Sequence, residues 1–178
     1  MKTNYMNTSI ELTRGDITTQ KDIDAIVNAA NAQLLPGGGV AGAIHRAAGA
    51  GLKAEAVPQG PVKPGEAVIT GGHDLPNKHV IHCLGPVYGQ DKPEDKLLAN
   101  CYRNALQLAE NKEIESIAFP SISTGAFGYP LEDAAEVALE AIRTSVRELD
   151  NVKLIRMVLF GKKDLMVYEE KMKKIFDL

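Results

Sequence analysis

The chain has 178 residues, of which 44% are hydrophobic and 24% charged, a composition typical of a globular protein that folds as one domain over residues 1–178. Its formal net charge of −3 favours neither a nucleic-acid groove nor an anionic membrane surface as partner. No apolar run is long enough for a membrane span, and the first residues lack a signal-peptide hydrophobic region, so we expect a cytoplasmic location.

The first predicted strand covers residues 9–13, where apolar and polar side chains alternate. It ends at Gly-Asp-Ile-Thr, residues 15–18, so Asp16 lies at a strand end. Two roles stay open for its carboxylate. It caps the short segment over 18–22, or it accepts a hydrogen bond from an amino group such as the exocyclic amine of an adenine.

The most informative stretch is residues 28–49, which follows the second predicted strand, 24–28. Two asparagines and a short loop lead to three glycines at 37–39 and to a predicted helix over 42–48. Glycines let the backbone approach a ligand closely, and the N-terminus of a helix attracts anions. The pattern predicts a phosphate or diphosphate site, while the alternative is an ordinary loop made by Pro36 and the glycines.

Gly37, Gly39 and Gly42 also match the dinucleotide fingerprint G-x-G-x-x-G. That fingerprint requires a strand that leads directly into the first glycine and an acid about 20 residues later. Here eight residues separate the predicted strand from the glycines, and Glu55 and Glu66 lie at other spacings. We therefore expect neither a nicotinamide-dependent dehydrogenase nor any bound cofactor.

The middle of the chain carries predicted strands over 66–70 and 79–84, a surface loop over 57–65 and an amphipathic helix over 93–111. The two cysteines, Cys83 and Cys101, lack the spacing of metal ligands. They are predicted to be small core residues with free thiols, and no metal site is expected.

A second notable loop, residues 120–130, lies between a predicted strand over 115–119 and a predicted helix over 131–148. Loops in that position carry ligands in open α/β sheets. Its residues Ser123, Thr124 and Gly125 offer hydroxyl and N–H donors, and Phe127 offers an apolar face. The alternative is a rigid turn set by the prolines.

The last predicted strand, 153–160, ends in Phe160 near the same edge, and a closing helix is predicted over 165–176. Phe160 either stacks on a base or is an ordinary core aromatic. Strands alternate with helices, and the early strands lack crossover helices. The predicted fold is therefore α/β, a three-layer α/β/α sandwich with a mixed central sheet.

Five blocks, in their order and spacing, resemble the macrodomain family over nearly the whole chain, nearest its MacroD-type branch. They are Gly-Asp-Ile-Thr (15–18), Asn-Ala-Ala-Asn (28–31), the Gly-Gly-Gly-Val-Ala-Gly-Ala-Ile-His-Arg-Ala-Ala-Gly run (37–49), His-Val-Ile-His-Cys-Leu-Gly-Pro (79–86) and the proline-bounded loop (120–130). The resemblance implies a site for ADP-ribose and its derivatives, with ADP-ribosylated proteins as substrates.

By this resemblance Asp16 accepts from the adenine amino group, the Ile17 N–H supports the same ring, and Phe160 stacks near it. Asn31 bonds the distal ribose, beside which Phe127 packs. The diphosphate is held on one side by Gly38, Gly39, Val40 and Ala41, and on the other by Ser123, Thr124, Gly125, Ala126 and Phe127.

Members of this family remove ADP-ribose from acidic side chains or acetyl groups from O-acetyl-ADP-ribose, others only bind ADP-ribose, and some act slowly on ADP-ribose 1″-phosphate. The MacroD-type pattern has an aspartate, which orients the attacking water, where this chain has Ala41. A Gly-Val-Ala loop also occurs in members regarded as active. We expect a slow, metal-independent hydrolase in which Asn31 fixes the ribose and a substrate phosphate positions the water.

Two further interpretations concern His45 and the class of protein. His45 follows Ala41 by one helical turn, so it lends a proton or shapes the cleft, or else is a hydrogen-bonded structural histidine. A non-catalytic ADP-ribose reader is the alternative to the hydrolase, although a single domain with no attached targeting segment favours the enzyme. A general nucleotide phosphatase is disfavoured, since no cluster of metal ligands supports it.

Overall fold

The computed structural model describes residues 1–178 and is built around a seven-stranded mixed sheet in the order β1-β2-β7-β6-β3-β5-β4. Strands β2, β7, β6, β3 and β5 are parallel, while β1 and β4 pair antiparallel at the two edges. The predicted α/β fold with a mixed central sheet is confirmed. The strands are β1 (Lys2–Tyr5), β2 (Thr8–Arg14), β3 (Ala25–Ala29), β4 (Ala67–Gly71), β5 (His79–Cys83), β6 (Ser116–Phe119) and β7 (Leu154–Leu159).

Five helices cover the two faces of the sheet, and they are α1 (Gly39–Ala48), α2 (Ala50–Ala56), α3 (Glu94–Asn111), α4 (Leu131–Ser145) and α5 (Lys162–Ile175). The larger core lies under α3, α4 and α5, and the smaller one under α1 and α2. The four residues of β6 are all buried, because a central parallel strand is covered on both faces. None of the helices combines the length and the hydropathy that a membrane crossing requires.

Two elements were absent from the sequence prediction. Strand β1 is a polar edge strand, Lys-Thr-Asn-Tyr, whose side chains give no apolar alternation. Helix α2 is short, buries only Leu52 and Ala56, and is separated from α1 by Gly49, whose φ of +81° breaks the helix. The helix predicted over 131–148 ends at Ser145 and continues as a 3-10 turn.

Both cysteines are free and buried, as predicted. The Cys101 thiol donates to the Leu84 carbonyl over 3.2 Å, and the Cys83 thiol donates to the Cys101 carbonyl over 3.6 Å. Burial raises the pKa of Cys101 to about 12, so this thiol stays protonated. The pair is therefore an unreactive part of the larger core.

A buried layer of polar side chains lies on the face of the sheet that α1 covers. Asn28 on β3 donates through Nδ2 to Nδ1 of His82 on β5 over 3.1 Å, and His82 Nε2 lies 3.0 Å from the Thr70 hydroxyl on β4. Burial, with a smaller contribution from nearby His45, lowers the pKa of His82 to about 4. His82 is therefore neutral and ties three strands together at their α1 face.

Because His82 in this layer resists protonation, we expect the free energy of unfolding to decrease in mild acid. An unfolded histidine takes up a proton near pH 6.5, whereas folded His82 takes one up only near pH 4, so falling pH favours unfolding between these values. From pH 7 to pH 5 the loss at this site is about 2 kcal/mol. In His82→Gln the side chain keeps a donor and an acceptor but cannot be protonated. From pH 7 to pH 5 the free energy of unfolding, measured in urea, should therefore fall by about 2 kcal/mol less in this variant than in the unmodified chain. An unchanged pH profile would show that another group causes the loss.

Candidate functional site

A cleft of about 360 Å³ opens at the carboxyl ends of β3, β5 and β6, within the range of volumes typical of small-molecule sites. Its walls are the glycine loop, residues 35–41, and the clasp loop, residues 121–128. The lining residues are Ala29, Ala30, Asn31, Gly37, Gly38, Gly39, Val40, Ala41, Gly85, Ser121, Ile122, Ser123, Gly125, Ala126 and Phe127. The two loops that the sequence singled out therefore face each other across one cavity.

Asn31 fixes the entry to the glycine loop. Its Oδ1 accepts from the Leu35 N–H over 2.9 Å, and its Nδ2 donates to the Leu35 carbonyl over 2.8 Å. One N–H and one lone pair of this amide remain free for a ligand. Where the loop enters α1, the Gly37 carbonyl packs directly against Gly42, and any side chain at Gly42 would collide with it. The loop is thus held at both ends, with its middle open.

Five consecutive backbone N–H groups of the glycine loop, those of residues 37–41, are unpaired. No N–H from Gly37 to Ala41 donates a hydrogen bond within the protein, and the first turn of α1 has no side-chain cap. Gly39 has a φ of +55°, which turns the backbone so that successive N–H groups face the same side. Together with the positive end of the α1 dipole, this run forms a site for an anion.

The clasp loop has the same property. No N–H from Ser123 to Phe127 donates a hydrogen bond within the protein. The loop is closed by bonds from the Tyr129 N–H to the Ser123 carbonyl over 2.9 Å and from the Gly128 N–H to the Gly125 carbonyl over 3.0 Å. Ser123 has a φ of +67°, so this loop also contains the left-handed residue that a backbone anion nest requires. Two runs of unpaired N–H groups therefore border the cleft.

The hydroxyl groups of the clasp loop are buried or hydrogen-bonded within the protein. Ser123 Oγ is buried against Gly85 without a hydrogen-bond partner, and Thr124 does not line the cleft. The Thr124 hydroxyl donates to the Ser121 carbonyl over 3.1 Å, and Ser121 Oγ lies 2.9 Å from the Tyr168 hydroxyl. The Ser121 and Thr124 hydroxyls thus brace the loop and the Ser123 hydroxyl is buried, so the free donors that the loop offers are backbone N–H groups.

Asp16, Ile17 and Phe160 lie along the same carboxyl edge, at the ends of β2 and β7, but outside the walled cleft. Asp16 Oδ1 accepts from the Thr18 N–H and hydroxyl over 2.8 and 2.7 Å, which lowers the pKa of Asp16 and caps the 3-10 turn Ile17–Thr19. Its Oδ2 and the Ile17 N–H have no protein partner. Phe160 is 86% exposed, so the alternative of a core aromatic is wrong.

His45 is not brought to the cleft. Its ring lies beneath α1, 7% exposed, with its centroid 6.4 Å from that of His82, and neither ring nitrogen has a hydrogen-bond partner. Burial, and then the charge of Lys53, lowers the pKa of His45. Helical spacing placed His45 one turn after Ala41, but Ala41 lines the cleft while His45 packs toward the sheet.

The cleft contains no ionisable side chain among its lining residues. An anion in it would be bound by backbone dipoles rather than by lysine or arginine. No group of three or more His, Cys, Asp or Glu side chains is arranged to hold a metal ion. The sequence alone did not show which N–H groups of the two loops stay unpaired. Whether an N–H has a partner depends on which carbonyl groups the folded chain brings near it.

Comparison with known proteins places these features in a family. The model of the Macro domain family matches residues 27–138. The structure superposes with a TM-score of 0.94 on the Oceanobacillus iheyensis macrodomain with ADP, which is 44% identical and covers 99% of this chain and 96% of that chain. An O-acetyl-ADP-ribose deacetylase of Klebsiella pneumoniae is 47% identical over 163 residues, 89% of this chain and 93% of the relative. An ADP-ribose glycohydrolase MACROD2 of Xenopus laevis is 44% identical over 176 residues, 97% of this chain and 42% of the relative.

The two middle glycines of the loop should respond differently to an added methyl group. Gly39 has a φ of +55°, so Gly39→Ala should cost about 1 kcal/mol and lower the Tm by about 2–4 °C. Gly38 has a φ of −89° and open space at its Cβ position, so Gly38→Ala is the matched control and should leave the Tm unchanged or slightly raised. Thermal unfolding followed by circular dichroism measures both. Equal Tm values would contradict the assigned backbone conformation.

Proposed function

The chain belongs to the macrodomain family, and we propose that it binds ADP-ribose and hydrolyses ADP-ribosyl esters. The substrates would be proteins that carry mono-ADP-ribose on acidic side chains, O-acetyl-ADP-ribose, or both. We propose further that residues 1–178 form a single macrodomain, since one sheet takes strands from both ends of the chain. The observation that carries the proposal is the pair of unpaired N–H runs that border one cleft.

A diphosphate is the ligand group that such a cleft fits best. Two runs of donors on opposite walls match a group with acceptor oxygens on both sides, and each wall can serve one phosphate. Hydrogen bonds from N–H groups to an ionised oxygen are stronger than those between neutral groups. Because no lysine or arginine lines the cleft, binding would rest on these directed bonds, which favours a ligand of fixed spacing over anions in general.

The rest of ADP-ribose would lie along the carboxyl edge of the sheet. From the end of β2 to the end of β3 there are three strand spacings, which is about 14 Å. The adenine would lie at the β2 end, with its amino group on the free Asp16 Oδ2, its ring near the Ile17 N–H, and Phe160 beside it. The distal ribose would lie at the β3 end against Asn31 and Phe127.

In the proposed reaction a water attacks the anomeric carbon of the distal ribose. The bond from that carbon to the ester oxygen breaks, the acidic side chain leaves as a carboxylate, and the proton from the water passes to a phosphate oxygen held by the clasp loop. Asn31 orients the ribose through its free N–H and lone pair, and its own position is set by Leu35. Orientation of this kind can lower a barrier by several kcal/mol.

The alanine at position 41 favours the alternative function, a reader that binds ADP-ribose without hydrolysing its esters. It lines the cleft at the start of α1 and offers no group that could accept a proton from the water. A positioned general base typically contributes about 10²- to 10⁴-fold, so the proposed hydrolysis should be slow. Incubation with a glutamate-ADP-ribosylated protein separates the two functions: free ADP-ribose released over time supports the hydrolase, whereas micromolar binding without release supports the reader.

We expect Asn31→Ala to reduce the release of ADP-ribose by about 10²-fold or more, because the ribose loses its orienting amide. Affinity for free ADP-ribose, measured by calorimetry, should fall by no more than about tenfold, because the loop loses its two neutral bonds between Asn31 and Leu35 but keeps its backbone N–H donors. Gln33→Ala is the control: it lies in the same connection, outside the cleft, and its side chain makes no hydrogen bond. Unchanged turnover in Asn31→Ala would remove this residue from the mechanism.

A carboxylate at position 41 should accelerate the reaction. Ala41→Asp places a general base at the start of α1, where the helix dipole tolerates a negative charge, and we expect at least about a tenfold faster release of ADP-ribose. The added charge should also weaken ADP-ribose binding by repulsion from the diphosphate. Ala41→Asn has nearly the same shape but cannot accept the proton at neutral pH. Equal rates for the two variants would contradict the role given to position 41.

A further inference from the structure

A second groove, of about 300 Å³, lies beside the clasp loop between the first turns of α3 and α4. We call it the acidic groove. Four of its seven lining residues carry carboxylates, two are tyrosines, and no lysine or arginine is among them. They are Tyr88, Glu94, Asp95, Tyr129, Asp133, Glu136 and Val137.

The two tyrosines give this groove features of a binding site. Their ring centroids are 4.9 Å apart at an angle of 57°, and Tyr88 is 46% exposed. Tyr129 is only 5% exposed, yet it lines the groove and its hydroxyl makes no hydrogen bond within the protein. Burial, followed by the charges of Asp95, Asp133 and Glu94, raises the pKa of Tyr129 to about 12, so this hydroxyl keeps its proton. A buried side chain therefore presents an unpartnered polar group to the groove.

The helix dipoles account for only part of this arrangement. Acids in the first turn stabilise a helix, and both α3 and α4 begin with two of them. Glu132 lies in the same first turn of α4 as Asp133 but does not line the groove, so the dipole alone does not require acids to converge there. Lys171 pairs with Glu136 over 2.6 Å, which leaves three carboxylates in the groove without a basic partner.

The acidic groove lies next to Phe127, at the end of the cleft where the distal ribose is proposed to bind. The Tyr88 N–H donates to the Phe127 carbonyl over 2.9 Å, and Phe127 lines the cleft. Tyr129 follows Phe127 by two residues and holds the clasp loop closed through its bond to Ser123. A chain attached to the distal ribose would therefore leave the cleft beside this groove.

We propose that the acidic groove binds a lysine or arginine side chain of the ADP-ribosylated protein, close in its sequence to the modified residue. The inference rests on the proposed function and narrows its substrates to proteins with basic residues near the modified acid. The cation would lie over the exposed Tyr88 ring, with Asp95 and Asp133 beside it and the Tyr129 hydroxyl at the base of the groove. Contacts of a cation with a tyrosine ring and with exposed carboxylates are each weak, and together they select among substrates.

The test uses two synthetic peptides that carry ADP-ribose on one residue through an amide link that resists hydrolysis. One peptide has lysines on both sides of the modified residue, and the other has serines. We expect the protein to bind the lysine peptide about 3- to 10-fold more tightly at low ionic strength, and the ratio to shrink when salt is added. Calorimetry with each peptide and with free ADP-ribose gives the three dissociation constants.

Matched variants assign the effect to the groove. The double variant Asp95→Asn with Asp133→Asn should bring the affinity ratio between the lysine and serine peptides close to one. The double variant Glu132→Gln with Asp150→Asn removes the same charge outside the groove and should preserve that ratio. Tyr88→Ala should lower the ratio and Tyr88→Phe should retain it, because the ring and not the hydroxyl faces the cation. All of these variants should bind free ADP-ribose like the unmodified chain.

Two outcomes would overturn the inference and leave the proposed function intact. One is normal binding of ADP-ribose with a ratio of one between the peptides. The other is equal loss of the ratio in both double variants, which would assign it to overall charge. A failure to bind free ADP-ribose would instead overturn the proposed function, and this inference with it.

Discussion

The site depends on keeping backbone N–H groups without partners in the folded chain. A protein normally pairs such groups, because a buried N–H without a partner costs about 1–3 kcal/mol. Here the glycines at 37–39 are exposed and water can pair their N–H groups until a ligand displaces it. What the fold must supply is direction. The Asn31 amide fixes one loop, and the bond from Tyr129 to Ser123 fixes the other. Each loop has a left-handed residue within its run of free N–H groups, Gly39 in one and Ser123 in the other.

The sheet explains why these two loops meet. Strands β3 and β6 are neighbours and parallel, so the connections that leave their carboxyl ends start side by side. Burial of both strands on both faces fixes their register, and the polar layer of Asn28, His82 and Thr70 adds hydrogen bonds between side chains of three strands. The site is therefore positioned by rigid elements, while only the loops carry its donors.

Local signals in the sequence predicted the fold class, the two loops and their place at one edge, because strand ends, glycines and helix starts are encoded by neighbouring residues. They did not predict the direction of individual side chains. His45 has the spacing to reach the cleft but packs toward the sheet, the Ser123 hydroxyl is buried, and the Thr124 hydroxyl donates to the Ser121 carbonyl. For Phe160 the sequence left base stacking and a place in the core as alternatives, and the structure leaves the ring exposed. Each of these outcomes depends on packing between distant elements, which residue periodicity does not contain.

Position 41 and the acidic groove together suggest how charge is distributed in the proposed reaction. In the proposed complex a neutral residue at 41 would not repel the diphosphate, but it would also supply no general base. Hydrolysis converts a neutral ester into a carboxylate at the ribose end, beside three unpaired acids of the groove. In the proposed complex the groove would repel this new carboxylate, even though it would attract a neighbouring lysine. The same carboxylates that help to select a modified protein would therefore weaken the binding of the unmodified product and favour its release.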